Sequence, residues 1–117
     1  MDLEQIRRQV ADFAQDRDWD QFHSIRNLIL AMVGEVGEVA EIVQWVSDDG
    51  VEELLSSGGR ERLAQELADV LLYLVRIADK SRIDLADAVD QKLIENDAKY
   101  PREKARGNSK KYTELRD

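Results

Sequence analysis

At 117 residues, with 43% hydrophobic and 36% charged side chains, one proline and no cysteine, the chain fits one helical domain that buries about two thirds of its unfolded surface; this excludes a disordered chain, a disulfide framework and a thiolate metal site. Its net charge of −8 is uneven: residues 1–99 carry 11 basic and 22 acidic groups, net −11, and residues 100–117 carry 6 and 3, net +3. An acidic body excludes nonspecific binding to a nucleic-acid polymer, which relies on Lys and Arg against phosphate, and no apolar run nears the roughly 20 residues that cross a bilayer.

The N-terminus, MDLEQIRRQVADF, lacks a charged-then-apolar leader pattern, so a cytoplasmic protein without a membrane partner is expected. Leu3, Ile6, Val10 and Phe13 recur at helical spacing, predicting a first helix from about Asp2 to Asp16. A polar, aromatic connector, DRDWDQFH, follows. Ser24 is the expected N-cap of a long second helix. Its apolar positions run from Ile25 through Met32 to Val46, and it ends near SDDG. Val51 to Leu55 predicts a short helical turn before the breaker SSGG.

The third and most apolar helix is expected from Arg60 to Lys80. Asp84 then caps a fourth whose stripe is Leu85, Ala88, Val89 and Leu93, and which stops before Pro101 because a residue preceding proline is pushed out of the helical region. The basic remainder is a polar tail, mobile or docked. The expected architecture is all-α: four main helices in an antiparallel bundle, with residues 1–99 as one domain and the tail of residues 100–117 part of it.

The segment GEVGEVAEIVQW carries a glutamate at every third position of a helix that is otherwise apolar, and a carboxylate taken from water into a helix interface is costly unless a cation joins it. With Met32 as the origin of a helical wheel, the apolar residues fall between about 320° and about 60°, with Ile42 at about 280°. Glu35 lies at about 300° inside this face, Glu38 at its margin at about 240° with Trp45 close by, and Glu41 on the far side at about 180°. On the third helix, with Leu67 as origin, the apolar arc runs from about 280° to about 80°, and Glu66, Tyr73 and Asp69 share one margin between about 260° and about 200°. If the two faces pack together, Glu35 and Glu38 meet Glu66 and Asp69, and such a cluster is stable only with protons or cations. Oxygen ligands at this density suit Mg²⁺, or Mn²⁺. Acidic pairs three residues apart are also common on solvated helix faces, and spacing alone leaves both readings open.

Trp19, Phe22 and His23 sit in the connector, where loop aromatics pack on a core more often than they stack on a base. His23 is the sole histidine, and the missing Glu-x-x-His pairs disfavour a di-iron site. Lys92 and Asn96 share a helix face that is equally consistent with solvent or a phosphate contact. Gly34 and Gly37 weaken the second helix by about 1 kcal/mol each relative to Ala, which suggests close approach of another backbone. The third helix is apolar over more than one neighbour covers, so self-association is expected. The same wide arc also fits a noncatalytic helical assembly module.

NLILAMVGEVGEVAEIVQW followed by LAQELADVLLYLV, with RDWDQFH upstream and YP and KYTEL downstream, resembles the MazG-like, all-α nucleoside triphosphate pyrophosphohydrolases, and among them the dCTP pyrophosphatase branch. Their E-E-x-x-E signature begins here with Gly34, a departure usual in that branch. The resemblance implies Mg²⁺-dependent hydrolysis of a deoxynucleoside triphosphate, dCTP or a modified dCTP, to monophosphate and pyrophosphate, with a broad-specificity house-cleaning enzyme as the alternative. It implies Glu35, Glu38, Glu66 and Asp69 as metal ligands, with Glu35 or Glu38 as the base towards water. It implies Trp19, His23 and Trp45 around the base, Tyr73, Lys92 and Asn96 holding the nucleotide, and a homotetramer built from two dimers. Lys80, Lys92 or the basic tail would meet the outer phosphates.

Overall fold

The structure, a computed structural model, describes residues 1–115, and every regular element among them is helical. None of the helices is long and apolar enough to cross a membrane. Residues 1–83 form one compact unit and the chain from Asp84 onward a second.

The first unit opens with helix α1, Leu3–Asp16. The Asp2 carboxylate accepts from Gln5 N–H at 2.8 Å while the Gln5 side chain accepts from Asp2 N–H at 2.8 Å, so two amides that the helix leaves unpaired are satisfied reciprocally. The connector turns sharply at Asp18, φ +54°, and makes a 3₁₀ turn at Asp20–Phe22. Ser24 then starts α2, Ile25–Val43, its hydroxyl accepting from Asn27 N–H at 3.0 Å.

α2 ends earlier than expected. Val46 N–H bonds back to the Val43 carbonyl at 3.0 Å, a tight turn that breaks the α-helical register. Trp45 therefore lies beyond the helix and is 89% exposed. After α3, Val51–Leu54, the SSGG breaker works through both its glycines. Gly58 takes φ +102°, and a Cβ on Gly59 would stand 2.5 Å from the Leu54 carbonyl oxygen, so neither position readily accepts a side chain. α4 runs Arg60–Lys80, as its periodicity predicts.

Both α2 and α1 pack on α4. The buried apolar residues of this unit are Ala14, Leu28, Ile42, Val75 and Ala78. At about 1.5–3 kcal/mol for a fully buried large aliphatic side chain, this is a thin core. Ile29, Leu30, Val33 and Val36 on α2 and Leu67, Leu71, Leu72 and Leu74 on α4 remain exposed. A Cβ on Gly34 or Gly37 would meet nothing within 4 Å, so the close backbone approach these glycines suggest is not made among the described residues.

The second unit holds α5, Leu85–Lys99, capped by Asp84, which accepts from Asp87 N–H at 3.0 Å. α6 spans Arg102–Ala105. A further turn at Tyr112–Glu114 brings Tyr112 edge-on to Tyr100, ring centroids 6.4 Å apart, under the Lys99 ammonium. These tail contacts are docked ones.

Because Ser24 launches the helix that carries Glu35 and Glu38, Ser24→Ala is expected to lower stability by about 1 kcal/mol in urea unfolding, with Ser24→Asp restoring most of it. Identical midpoints for Ser24→Ala and the parent chain would show that the cap contributes nothing.

Candidate functional site

Two neighbouring helices set the site. On α2 the residues withdrawn from solvent are Leu28, Ala31, Met32, Glu35, Val39 and Ile42. Their wheel positions centre at about 300°, the position of Glu35. On α4 the matching row is Leu63, Glu66, Val70, Tyr73 and Ile77. Each row thus contains one glutamate at a position that packing would normally give to an apolar residue.

Glu35, Glu38 and Glu66 converge, each offering a carboxylate oxygen within 4.8 Å of the other two. Glu35 and Glu66 are half-buried and Glu38 is exposed. One oxygen of Glu35 and one of Glu66 are sealed from solvent and accept no hydrogen bond among the described residues. An unpaired buried carboxylate oxygen forfeits hydration without compensation. Burial first, then the Glu38 carboxylate, with Glu66 and the Asp69 charge behind it, push the Glu35 pKa up to about 7. Glu66 is raised as well, chiefly by Glu38 and then by burial. Three oxygen donors, two with orphaned oxygens, on two helices that mutual repulsion would otherwise separate, fit a hard divalent cation.

Asp69 does not join the three-residue group. It lies one turn further along α4 and lines a cavity of about 180 Å³. This volume is below the ~300 Å³ of a pocket for a drug-sized ligand and suits one ring, not a whole nucleotide. Val10, Leu28 and Leu72 form its apolar walls, and His23, Asp69, Tyr73 and Arg76 its polar ones. The charge of Asp69 acts on Glu35, so this residue links the cavity to the cluster.

Of the other expected residues, Trp19 is half-exposed and packs edge-on against Phe13, ring centroids 5.6 Å apart. Trp45 touches solvent over nearly its whole surface; its expected place beside Glu38 assumed a helix that in fact stops at Val43. Glu41 is exposed. Lys80 is held by Asp20 at 3.0 Å. Lys92 and Asn96 lie on α5 in the second unit, Lys92 paired with Glu95 at 3.5 Å.

The reading of the sequence missed Val10, Leu28 and Leu72 as cavity walls, and it missed Arg76. Arg76 is 5% exposed, although the α4 wheel puts it at about 180°, opposite the apolar arc. Its guanidinium reaches Asp20 at 2.6 Å, Asp79 at 3.4 Å and His23 Nδ1 at 3.2 Å. Arg7 of α1 meets the other Asp79 oxygen at 3.3 Å. Burial, then the Arg76 charge, lowers the His23 pKa. Lys80 first, with Arg76, holds the Asp20 carboxyl below the usual range. The one available signal was the connector itself, in which an Asp and a His face a helix bearing Arg and Lys.

The sequence pattern of the MazG-like family matches residues 31–115. Human dCTP pyrophosphatase 1 is 52% identical over 97% of this chain and 67% of its own length. The mouse dCTP pyrophosphatase 1 is 49% identical over the same shares. A pyrophosphatase from Archaeoglobus fulgidus superimposes with a TM-score of 0.78 at 34% identity, covering 84% of this chain and 91% of that one.

A raised carboxyl pKa means that the fold favours the protonated form, so in a chelator Glu35 supports the fold fully below about pH 4.5 and loses that support as pH climbs through about 7. Urea unfolding between about pH 4.5 and about pH 8 is expected to show a steeper loss for the parent chain than for Glu35→Gln, with Mg²⁺ restoring the parent at the alkaline end. Parallel pH profiles for the two proteins would contradict this origin of the shift.

Proposed function

This chain belongs to the MazG-like family, and on that premise we propose that it hydrolyses dCTP, or a dCTP modified on the base, to the monophosphate and pyrophosphate. The observation that carries the reading is the convergence of Glu35, Glu38 and Glu66, together with a ring-sized cavity lined by Asp69, whose charge acts on Glu35. The activity for which the human and mouse relatives are named supports it.

Glu35, Glu38 and Glu66, with Asp69 beside them, would hold Mg²⁺, or Mn²⁺. When bound, such an ion neutralises charge on phosphate oxygens and acidifies water. The remaining work falls to the chain. Glu38, the exposed member of the group, orients the attacking water and takes its proton. Glu35, with one oxygen sealed from solvent, holds the arrangement from within. The attack opens the α–β anhydride, and the leaving oxygen departs with pyrophosphate.

His23 and Tyr73 line the cavity proposed for the base, and Trp19, in the same connector as His23, completes the base pocket. Trp45 closes over the nucleotide from a second copy of the chain or from its own. Lys92 and Asn96 contact phosphate and sugar. The apolar residues left exposed on α2 and α4 support a homo-oligomer, a tetramer formed as a pair of dimers, with the four main helices bundled antiparallel in each subunit. Residues 1–99 and the tail then act as one domain. The cytoplasm, where free nucleotides are handled, is the compartment this reading implies.

A panel of dCTP, 5-methyl-dCTP, dTTP, dUTP and ribonucleotides, read by pyrophosphate release in Mg²⁺, is expected to give the highest kcat/KM for the deoxycytidine members. Glu38→Gln is expected to lose about 100-fold or more in kcat with an unchanged far-UV spectrum. Even rates across the panel would favour the house-cleaning alternative. Failure to hydrolyse any member would remove the enzyme reading in favour of an assembly module.

A further inference from the structure

Arg76 is the buried charge of the first unit, and the carboxylate cluster makes no use of it. Its three donor groups are all engaged: the two terminal nitrogens on Asp20 and Asp79, and Nε on His23 Nδ1 at 3.2 Å. Lys80 adds a second hold on Asp20 at 3.0 Å. Asp20 in turn accepts the His23 backbone N–H at 3.0 Å through its carbonyl. The turn is thus closed by its own backbone and tied to α4 by the Asp20 and His23 side chains, which limits rotation of the His23 ring.

The nature of the donor decides the state of the ring. Arginine Nε always carries its hydrogen and never accepts. A nitrogen facing it must therefore be the unprotonated one, and a neutral imidazole with Nδ1 bare carries its proton on Nε2. No hydrogen bond reaches Nε2 from the described residues, and His23 lines the cavity with Asp69 and Tyr73.

We infer that Arg76 is a positioning residue that fixes His23 as the Nε2–H tautomer, so that the ring offers the cavity a hydrogen-bond donor and selects a base edge carrying an acceptor. The partner chemistry is a ring carbonyl oxygen or an unprotonated ring nitrogen, both of which a cytosine edge presents. This rests on the cavity being the base site. A base that turned a donor to this position would leave both N–H groups unpaired in a confined space, which is how a polar site rejects the wrong ligand.

His23 is the only histidine in the chain, so long-range ¹⁵N–¹H imidazole spectra of the full-length protein need no assignment. The nucleotide-free protein near neutral pH is expected to show a bare Nδ1 and a protonated Nε2, and the Nε2–H signal is expected to move on addition of a non-hydrolysable dCTP analogue. An Nδ1–H or doubly protonated ring overturns the inference at once. A shift of Tyr73 signals with Nε2–H unmoved overturns it while sparing the nucleotide site, whereas no shift anywhere removes both. Arg76→Met is expected to mix the tautomers and raise KM about 10-fold with a smaller change in kcat, and Arg76→Lys to recover only part of the loss. If Arg76→Met does not fold, the spectra of the parent protein still decide.

Discussion

The crowding of the Glu35, Glu38 and Glu66 carboxylates at the α2–α4 seam, with Glu35 and Glu66 on its packed side, is the constraint around which the first unit is organised. Two carboxylates occupy positions that the surrounding rows, Leu28 to Ile42 and Leu63 to Ile77, reserve for packing. Each has an oxygen that neither water nor protein satisfies. Protonation relieves the conflict in part, as the Glu35 pKa of about 7 expresses, and a divalent cation relieves it more fully by converting repulsion into shared ligation. The exposed Glu38 then gives the group an opening to solvent. Stability is weakened at the point where the cation is expected to act.

The second organising element stands on the other side of α4. Arg76, Asp20, Asp79, Lys80 and Arg7 tie the connector and α1 to that helix through alternating charges. A buried arginine is tolerable because each of its three nitrogens has an acceptor and two carboxylates balance its charge. The cavity forms between the two systems, with Asp69 facing the cluster's field and His23 held by the network. The sites proposed for the ring and for the cation are thus separately supported.

Much of this was legible in the sequence because it depends on local chemistry. Ser24, Asp84 and Pro101 mark helix ends through capping and proline sterics, and the structure ends its helices there. The separation of Glu35 and Glu38 from Glu41 followed from helical geometry alone. What stayed hidden depends on which neighbour covers which face. The apolar arc of α2 is wide enough for two partners, and a wheel does not say that the side holding Glu35 packs inward while Val36 and Ile29 stay exposed. The wheel turns Arg76 towards solvent for the same reason: its burial comes from a connector more than fifty residues away in sequence. Trp45 escapes its expected place because a single tight turn at Val46 ends α2 early. The resemblance to MazG-like pyrophosphohydrolases supplied what no periodicity contains, the reaction.

The carboxylate cluster is expected to hold a divalent cation. Titrating the protein into Mn²⁺ and following the electron paramagnetic resonance signal of the free ion tests it most directly. The parent chain is expected to remove this signal, and the double variant Glu35→Gln with Glu66→Gln, folded to the same helix content, to leave it in place. Equal depletion of free Mn²⁺ by the two proteins would contradict it.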